Sequence, residues 1–131
     1  MKNNRSNSTF SLGRLKESFR NAFRGIFRGL KGEKNLQIHS IIASLVILFA
    51  ILFHVTTLEW LLLLLCIGLV FSLELVNSAI EEVCDEVCQN YSERIKRAKD
   101  FSAGAVLFSA IIAAIVGLII FLPYLFSLLK L

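Results

Sequence analysis

Three long apolar stretches divide the chain and predict three helices that cross a membrane. Residues 35–58 and 101–129 contain no Asp, Glu, Lys or Arg, and each stretch exceeds the ~20 residues that a spanning helix needs. The stretch 60–73 is also uncharged, but it covers only roughly 21 Å of a hydrocarbon core about 30 Å thick. The second helix must therefore continue into polar sequence. We expect membrane helices over residues 36–55, 58–90 and 95–122.

The residues before the first span predict a different kind of helix, over 11–31. Its bulky apolar side chains recur at helical spacing on one side, with a row of arginines beside them: Leu15, Phe19, Phe23, Ile26, Phe27 and Leu30, then Arg20, Arg24 and Arg28. This pattern is typical of an amphipathic helix in the membrane surface. A basic flank that only sets topology is the alternative. Residues 1–10 are rich in Asn and Ser, and we predict a disordered tail there.

Together these elements predict an all-α integral membrane protein that forms one domain, residues 1–131. Of its 131 residues 56% are hydrophobic, and its mean hydropathy is +0.69, as a small membrane domain requires. Pro123 is expected to end the third membrane helix or to kink it, because proline lacks the N–H that a helix interior uses.

The positive charges predict the orientation in the membrane. Nine of the 14 Lys and Arg residues precede residue 35, four more lie at 94–99, and the turn at 54–59 has none. Segments rich in Lys and Arg stay in the cytoplasm. We therefore expect a cytoplasmic N-terminus and a cytoplasmic 83–100 segment, with the 54–59 turn and the C-terminus outside.

The polar end of the second membrane helix carries the candidate chemistry. At about 100° per residue, four side chains share an arc of about 80° on one helix face; we call Glu74, Asn77, Glu81 and Asp85 the acidic ladder. From its first to its last member the helix axis advances about 16 Å, so the ladder passes from the acyl chains to the cytoplasmic boundary. Acidic groups at such depth cost free energy on insertion and usually serve chemistry or transport.

Carboxylates at the membrane boundary, with cations nearby, suit phosphoryl transfer. Two of them can hold a divalent metal that binds nucleotide phosphates, and a deeper one can deprotonate a lipid hydroxyl. The chain contains no Walker-type GxxxxGK sequence, so a nucleotide site must be built from helix side chains. Two alternatives fit the same residues: a relay for protons or sodium, and ion pairs that only fix helix assembly.

The order of these residues resembles the prokaryotic diacylglycerol kinase family. ELVNSAIE at 74–81, Asp85 and AKD at 98–100 are similar to its pattern E-x-x-N-[ST]-A-I-E-x-x-x-D followed by A-K-D. EKNLQIH at 33–39 resembles the E-x-N-x-x-x-H version found in Gram-positive undecaprenol kinases. The similarity covers residues 10–125. Ser78 stands where the family often has Thr, and Lys34 and the 86–90 loop follow no family pattern.

The resemblance implies a homotrimer of three-span subunits, each with an N-terminal surface helix, and sites formed where subunits meet. It implies that Glu74 is the catalytic base or orients the substrate hydroxyl, and that Glu33 and Glu81 bind the Mg²⁺ that bridges the ATP phosphates. The other implied contacts are with ATP from Arg14, Tyr91, Lys99 and Asp100, with the lipid from Arg14, and within the ladder from Asn77 and Asp85.

The implied function is a membrane lipid kinase that transfers the γ-phosphate of ATP to the hydroxyl of undecaprenol. Diacylglycerol is the alternative substrate, since both hydroxyls lie at the same depth. From other classes, a proton- or cation-coupled membrane protein and a non-catalytic assembly factor are the alternatives. The expected partners are ATP, a lipid alcohol and further copies of the chain in the bacterial cell membrane, with no nucleic acid.

Overall fold

The computed structural model describes residues 12–88 and 90–129 of the chain. This part of the chain forms four helices: α1 (Leu12–Gly32), α2 (Lys34–Leu52), α3 (Thr57–Val87) and α4 (Glu93–Leu128). Helices α2, α3 and α4 are each long and apolar enough to cross a membrane. The prediction of an all-α protein with three spanning helices is confirmed. The tail predicted for residues 1–10 lies outside the described residues.

Helix α3 is the centre of the arrangement. It packs along α4 over most of its length and against α2 and α1 on other sides. Large apolar side chains of all three spanning helices remain exposed on the outside of the single chain, Ile41, Leu65 and Ile119 among them. Such exposure is expected for helices whose outer faces meet lipid tails or other membrane helices.

The start of α3 is fixed by a reciprocal cap. The Thr56 side chain accepts a hydrogen bond from the Glu59 backbone N–H, and the Glu59 side chain accepts one from the Thr56 backbone N–H at 2.7 Å. These bonds satisfy donors that a helix N-terminus leaves without partners. His54 precedes the cap with a positive φ of 50°, so the chain reverses tightly between α2 and α3.

The third spanning helix does not end at Pro123. One of the two outcomes predicted for this residue, a helix end, is wrong, because α4 continues through it to Leu128. The next residue provides the reason. The Tyr124 hydroxyl donates to Glu59 Oε2 at 2.8 Å, and its ring stacks on Phe53 with centroids 5.8 Å apart. These contacts with α3 and the α2–α3 turn offset the missing hydrogen bond.

The apolar core gathers at this same end of the molecule. Ala50, Val55, Leu63 and Ile120 are buried together there, and Phe49, Phe53 and Phe121 pack around them with ring centroids 6.0–6.3 Å apart. An apolar cavity of about 480 Å³ extends from the core between α2, α3 and α4. The opposite end, where α1 meets α3 and α4 begins, holds the polar groups.

Candidate functional site

The acidic ladder runs from the protein interior to the surface. Glu74 is 2% exposed and Asn77 is 3% exposed, whereas Glu81 is half-buried and Asp85 is exposed. The helical period of α3 places all four side chains on one face, as the sequence predicts. Burial of this face falls steadily towards the end of α3.

Hydrogen bonds tie the middle of the ladder to α4. Asn77 Nδ2 donates to Glu81 Oε1 at 3.0 Å, and the Ser102 hydroxyl on α4 lies 2.6 Å from Asn77 Oδ1. The same hydroxyl lies 2.9 Å from the backbone carbonyl oxygen of Lys99. Glu81, Asn77 and Ser102 therefore form one connected network between the two helices.

Two lysines at the start of α4 each pair with a carboxylate. Lys99 Nζ donates to Asp85 Oδ1 at 2.6 Å, joining α4 to the surface end of the ladder. Lys96 Nζ lies 3.3 Å from Asp100 Oδ2 on the same helix. Of the four side chains, only that of Lys99 is well shielded, with 33% exposed. The structure thus brings Lys99 into the ladder and leaves Asp100 at its edge.

The Glu74 carboxylate is buried, and no other described side chain is bonded to it. No ion pair or side-chain hydrogen bond between the described residues involves it. Across residues 12–88 and 90–129, every fully enclosed side-chain oxygen has a hydrogen-bond partner. The Glu74 oxygens are therefore not completely enclosed, although the residue is only 2% exposed. An acceptor group in this condition is available to a substrate hydroxyl.

A second, more polar cavity of about 450 Å³ separates α1 from α3. Arg28 and Glu33 line it from the α1 side, and Ser78 and Glu82 line it from α3. Glu33 is the single residue between α1 and α2, with an extended backbone (φ −92°, ψ 115°) and no side-chain cap hydrogen bond. Its half-buried carboxylate is therefore not held by the helix that follows it.

Gly29 sets the distance between α1 and α3 beside this cavity. A Cβ atom at this position would lie 2.8 Å from Leu75 Cδ2 and 3.1 Å from Leu36 Cδ2, closer than packed carbon atoms approach. Only glycine fits this approach without a shift of its neighbours. The close contact is what places Glu33 near the polar end of α3.

Three residues of the site were not predicted. Arg28 and Glu82 line the polar cavity, and Ser102 joins the hydrogen-bond network. Glu82 lies about 80° around the helix from Glu74, outside the predicted arc but on the side that faces α1. A signal for Ser102 was its position three residues after Lys99, which puts both on one face of α4.

Glu33 and Asp100 form no described hydrogen bond with the network, and two further predicted site residues lie apart from it within one chain. Arg14 is exposed near the start of α1, roughly 27 Å along the helix axis from Gly32. Tyr91 is 79% exposed, and its hydroxyl donates to Glu93 Oε2 at 2.5 Å. This hydrogen bond, then burial and the charge of Asp100, raise the pKa of the Tyr91 phenol above its usual value.

The donor set allows one kind of magnesium site. Among the described residues, no three His, Cys, Asp or Glu side chains converge as a metal cage would require. Magnesium is commonly held by one or two carboxylates, several waters and substrate phosphates instead. Glu81 has one oxygen engaged by Asn77, and Glu33 forms no cap bond. The donor chemistry of both residues suits a Mg²⁺ that arrives with nucleotide phosphates. Within one chain, however, Glu33 lines the cavity with Ser78 and Glu82, whereas Glu81 belongs to the hydrogen-bond network with Asn77.

Comparison with known proteins relates the chain to one described family. Residues 20–121 match the family described as prokaryotic diacylglycerol kinase. The undecaprenol kinase of Bacillus subtilis is 42% identical over 112 residues, which cover 86% of this chain and 91% of the relative. The diacylglycerol kinase of Synechocystis is 41% identical over 112 residues, 85% of this chain and 64% of the relative. That of Escherichia coli K12 is 41% identical over 61 residues, 47% of this chain and 50% of the relative.

Proposed function

The chain belongs to the prokaryotic diacylglycerol kinase family, and we propose that it transfers the γ-phosphate of ATP to the hydroxyl of undecaprenol in the bacterial cell membrane. Lipid kinase activity, with ATP as the co-substrate, follows from the family. The observation that carries the proposed site is the buried and unpaired Glu74 carboxylate, one helical turn from the Asn77–Glu81 pair. That arrangement puts a proton acceptor one helical turn from a carboxylate that can hold the metal of a nucleotide complex.

Glu74 is the proposed general base. It takes the proton of the lipid hydroxyl while that oxygen forms a bond to the γ-phosphorus and the bond to the ADP oxygen breaks. Its 2% exposure limits the contact of bulk water with the carboxylate, which favours proton transfer from a bound hydroxyl. The products are the lipid phosphate and ADP, with the proton on Glu74.

Glu33 and Glu81 are the proposed Mg²⁺ ligands. They approach from different elements, Glu33 from the α1–α2 junction and Glu81 from α3. When bound, the ion neutralises charge on the ATP phosphates. Asn77 holds one Glu81 oxygen and so leaves the other for the metal.

Lys99 is the proposed phosphate-binding cation. Its bond to Asp85 uses one of the three ammonium N–H groups, so two remain for phosphate oxygens. Asp85 supports the site by holding this ammonium, and Asp100 is proposed to contact the nucleotide from the same turn of α4. Arg14 and Tyr91 lie apart from the network in one chain, so their proposed nucleotide contacts, and the lipid contact of Arg14, require a second copy. A homotrimer would supply it.

The proposed placement in the membrane follows from charge and exposure. The N-terminus and the 83–100 segment are placed in the cytoplasm because they carry most of the Lys and Arg residues. Phe19, Phe23 and Phe27 of α1 are each at least 59% exposed. We place them in the lipid surface, with the α1 arginines at the headgroups. This puts ATP and the polar cavity on the same side of the membrane.

The substrate is tested by direct comparison. Purified chain in mixed micelles receives γ-labelled ATP with undecaprenol or with a diacylglycerol, and labelled lipid is extracted and counted. Preference for undecaprenol is expected, because the Bacillus subtilis relative matches this chain over most of both lengths. Preference for diacylglycerol would favour the second candidate, which the Synechocystis relative supports. Label in neither lipid, with cation flux in liposomes without ATP, would support the coupled-transport alternative and refute the kinase proposal.

A further inference from the structure

Ser102 connects the acidic ladder to α4 through a single hydroxyl. The side chain is half-buried, and its oxygen lies 2.6 Å from Asn77 Oδ1 and 2.9 Å from the Lys99 carbonyl oxygen. Both neighbours are acceptors, and the hydroxyl carries one proton. The shorter distance assigns this proton mainly to Asn77 Oδ1. Asn77 itself is 3% exposed, which leaves bulk water little access to replace this donor.

The orientation of the Asn77 amide is determined by its two neighbours. On one side lies Glu81 Oε1 at 3.0 Å, and an ionised carboxylate can only accept. The amide must therefore turn its NH₂ group towards Glu81 and its oxygen towards Ser102. The reverse orientation would place an oxygen against the Glu81 carboxylate. Glu81 therefore sets the orientation of the amide, and the Ser102 hydroxyl stabilises it by donating its proton to Asn77 Oδ1.

We propose that Ser102 is a positioning residue for the magnesium ligand Glu81, acting through Asn77. Its hydroxyl fixes the amide, the amide holds Glu81 Oε1, and the other Glu81 oxygen is thereby directed to the metal. This inference rests on the proposed function, since it assumes that Glu81 is a metal ligand. The acceptor at Lys99 keeps the hydroxyl in place, so the same turn of α4 positions both the ammonium and Glu81.

The test measures metal binding apart from catalysis. Mn²⁺ serves as the probe, and its free concentration is read from its electron paramagnetic resonance signal in detergent-solubilised chain with a non-hydrolysable ATP analogue. Ser102→Ala is expected to weaken Mn²⁺ binding about tenfold, the lower end of the range for groups that orient metal ligands. In activity assays the Mg²⁺ concentration for half-maximal rate should rise similarly, while kcat at saturating Mg²⁺ changes less.

Further variants distinguish the effect of the Ser102 hydroxyl from the effect of side-chain size. Ser102→Thr keeps the donor and should keep the Mn²⁺ affinity, whereas Ser102→Val has the shape of Thr without the donor and should behave like Ser102→Ala. Ser109→Ala is the control on the same helix, because buried Ser109 donates only to Val106 of its own helix, at 2.8 Å. Its Mn²⁺ affinity should equal that of the unaltered chain.

The outcomes distinguish this inference from the proposed function. Equal Mn²⁺ affinity for Ser102→Thr and Ser102→Val would overturn the positioning role, even if the unaltered chain phosphorylates lipid. Weaker binding in Ser102→Val, with no lipid phosphorylation by the unaltered chain, would leave the positioning role standing and refute the kinase. A change in thermal stability alone, at constant metal affinity, would mean that Ser102 only packs.

Discussion

Lys99 Nζ lies 2.6 Å from Asp85 Oδ1, and this pair joins the start of α4 to the surface end of α3. The two residues are separated by fourteen positions and by the loop between the helices. The pair therefore bridges α3 and α4 at the polar end. It also orients the ammonium that we propose binds phosphate.

Asp85→Asn should weaken ATP binding while changing the stability of the fold only slightly. The Asp85 side chain is 71% exposed, and exposed ion pairs contribute about 0.2–1 kcal/mol to stability. Lys99 would lose its anchor, and we expect the KM for ATP to rise about tenfold, equivalent to ~1.4 kcal/mol. Thermal unfolding and ATP titration of the same preparation measure both effects. Glu86→Gln is the control, because it removes a charge without a described partner one residue along α3. It should change neither the unfolding temperature nor the KM for ATP. An equal rise in KM for Glu86→Gln would mean that the effect comes from a general loss of negative charge.

Glu74→Gln should remove turnover while leaving nucleotide binding intact. The amide has nearly the same shape as the carboxylate but cannot accept the substrate proton, and general-base loss typically costs 10²–10⁴-fold in rate. Single-turnover rates and binding of a fluorescent ATP analogue provide the two measurements. Normal turnover in this variant would disprove the assigned base. Loss of ATP binding instead would show that Glu74 supports the nucleotide site.

Gly29→Ala should lower stability relative to Gly25→Ala, one turn earlier in α1. At Gly25 a Cβ meets no atom within 4 Å, so alanine should add helix propensity of about 1 kcal/mol. At Gly29 it would meet Leu75 Cδ2 at 2.8 Å. This atom is the end of a flexible side chain, so we expect a cost of about 1 kcal/mol, the lower end of the range for overpacking. Thermal unfolding should rank Gly25→Ala above the unaltered chain and Gly29→Ala below Gly25→Ala. Identical unfolding temperatures for the two variants would show that the contact between Gly29 and Leu75 does not limit stability.

Tyr124→Phe should destabilise the chain without affecting catalysis. It removes the hydroxyl that donates to Glu59 at 2.8 Å but keeps the stacking on Phe53. A hydrogen bond to a carboxylate contributes more to stability than one between neutral groups, so its loss should lower the unfolding temperature measured in detergent by a few degrees. Ser127→Ala is the control, since its hydroxyl donates only to the local Tyr124 carbonyl. An altered kcat in Tyr124→Phe would contradict the separation between this end of α4 and the site.

The sequence predicts those parts of the site that depend on one helix alone. Glu74, Asn77, Glu81 and Asp85 share a face because the α-helical period fixes their angles. The partners on α4 could not be derived in this way, because Ser102 and Lys99 meet the ladder only through the register between α3 and α4. Local sequence was also insufficient at Pro123, where α4 continues. Its local effect on the helix is outweighed by contacts that Tyr124 makes with distant residues.

Side-chain contacts join α3 and α4 near both ends. Tyr124 and Glu59 form a hydrogen bond at one end, and Lys99 and Asp85 form a salt bridge at the other. Helix α1, in contrast, is linked along the chain to α2 by the single residue Glu33 and packs against α2 and α3 beside Gly29. In the surface placement that we propose for α1, a tilt of this helix as lipids crowd or thin around it moves the Glu33 backbone directly. The proposed metal site is thereby coupled to the state of the surrounding bilayer.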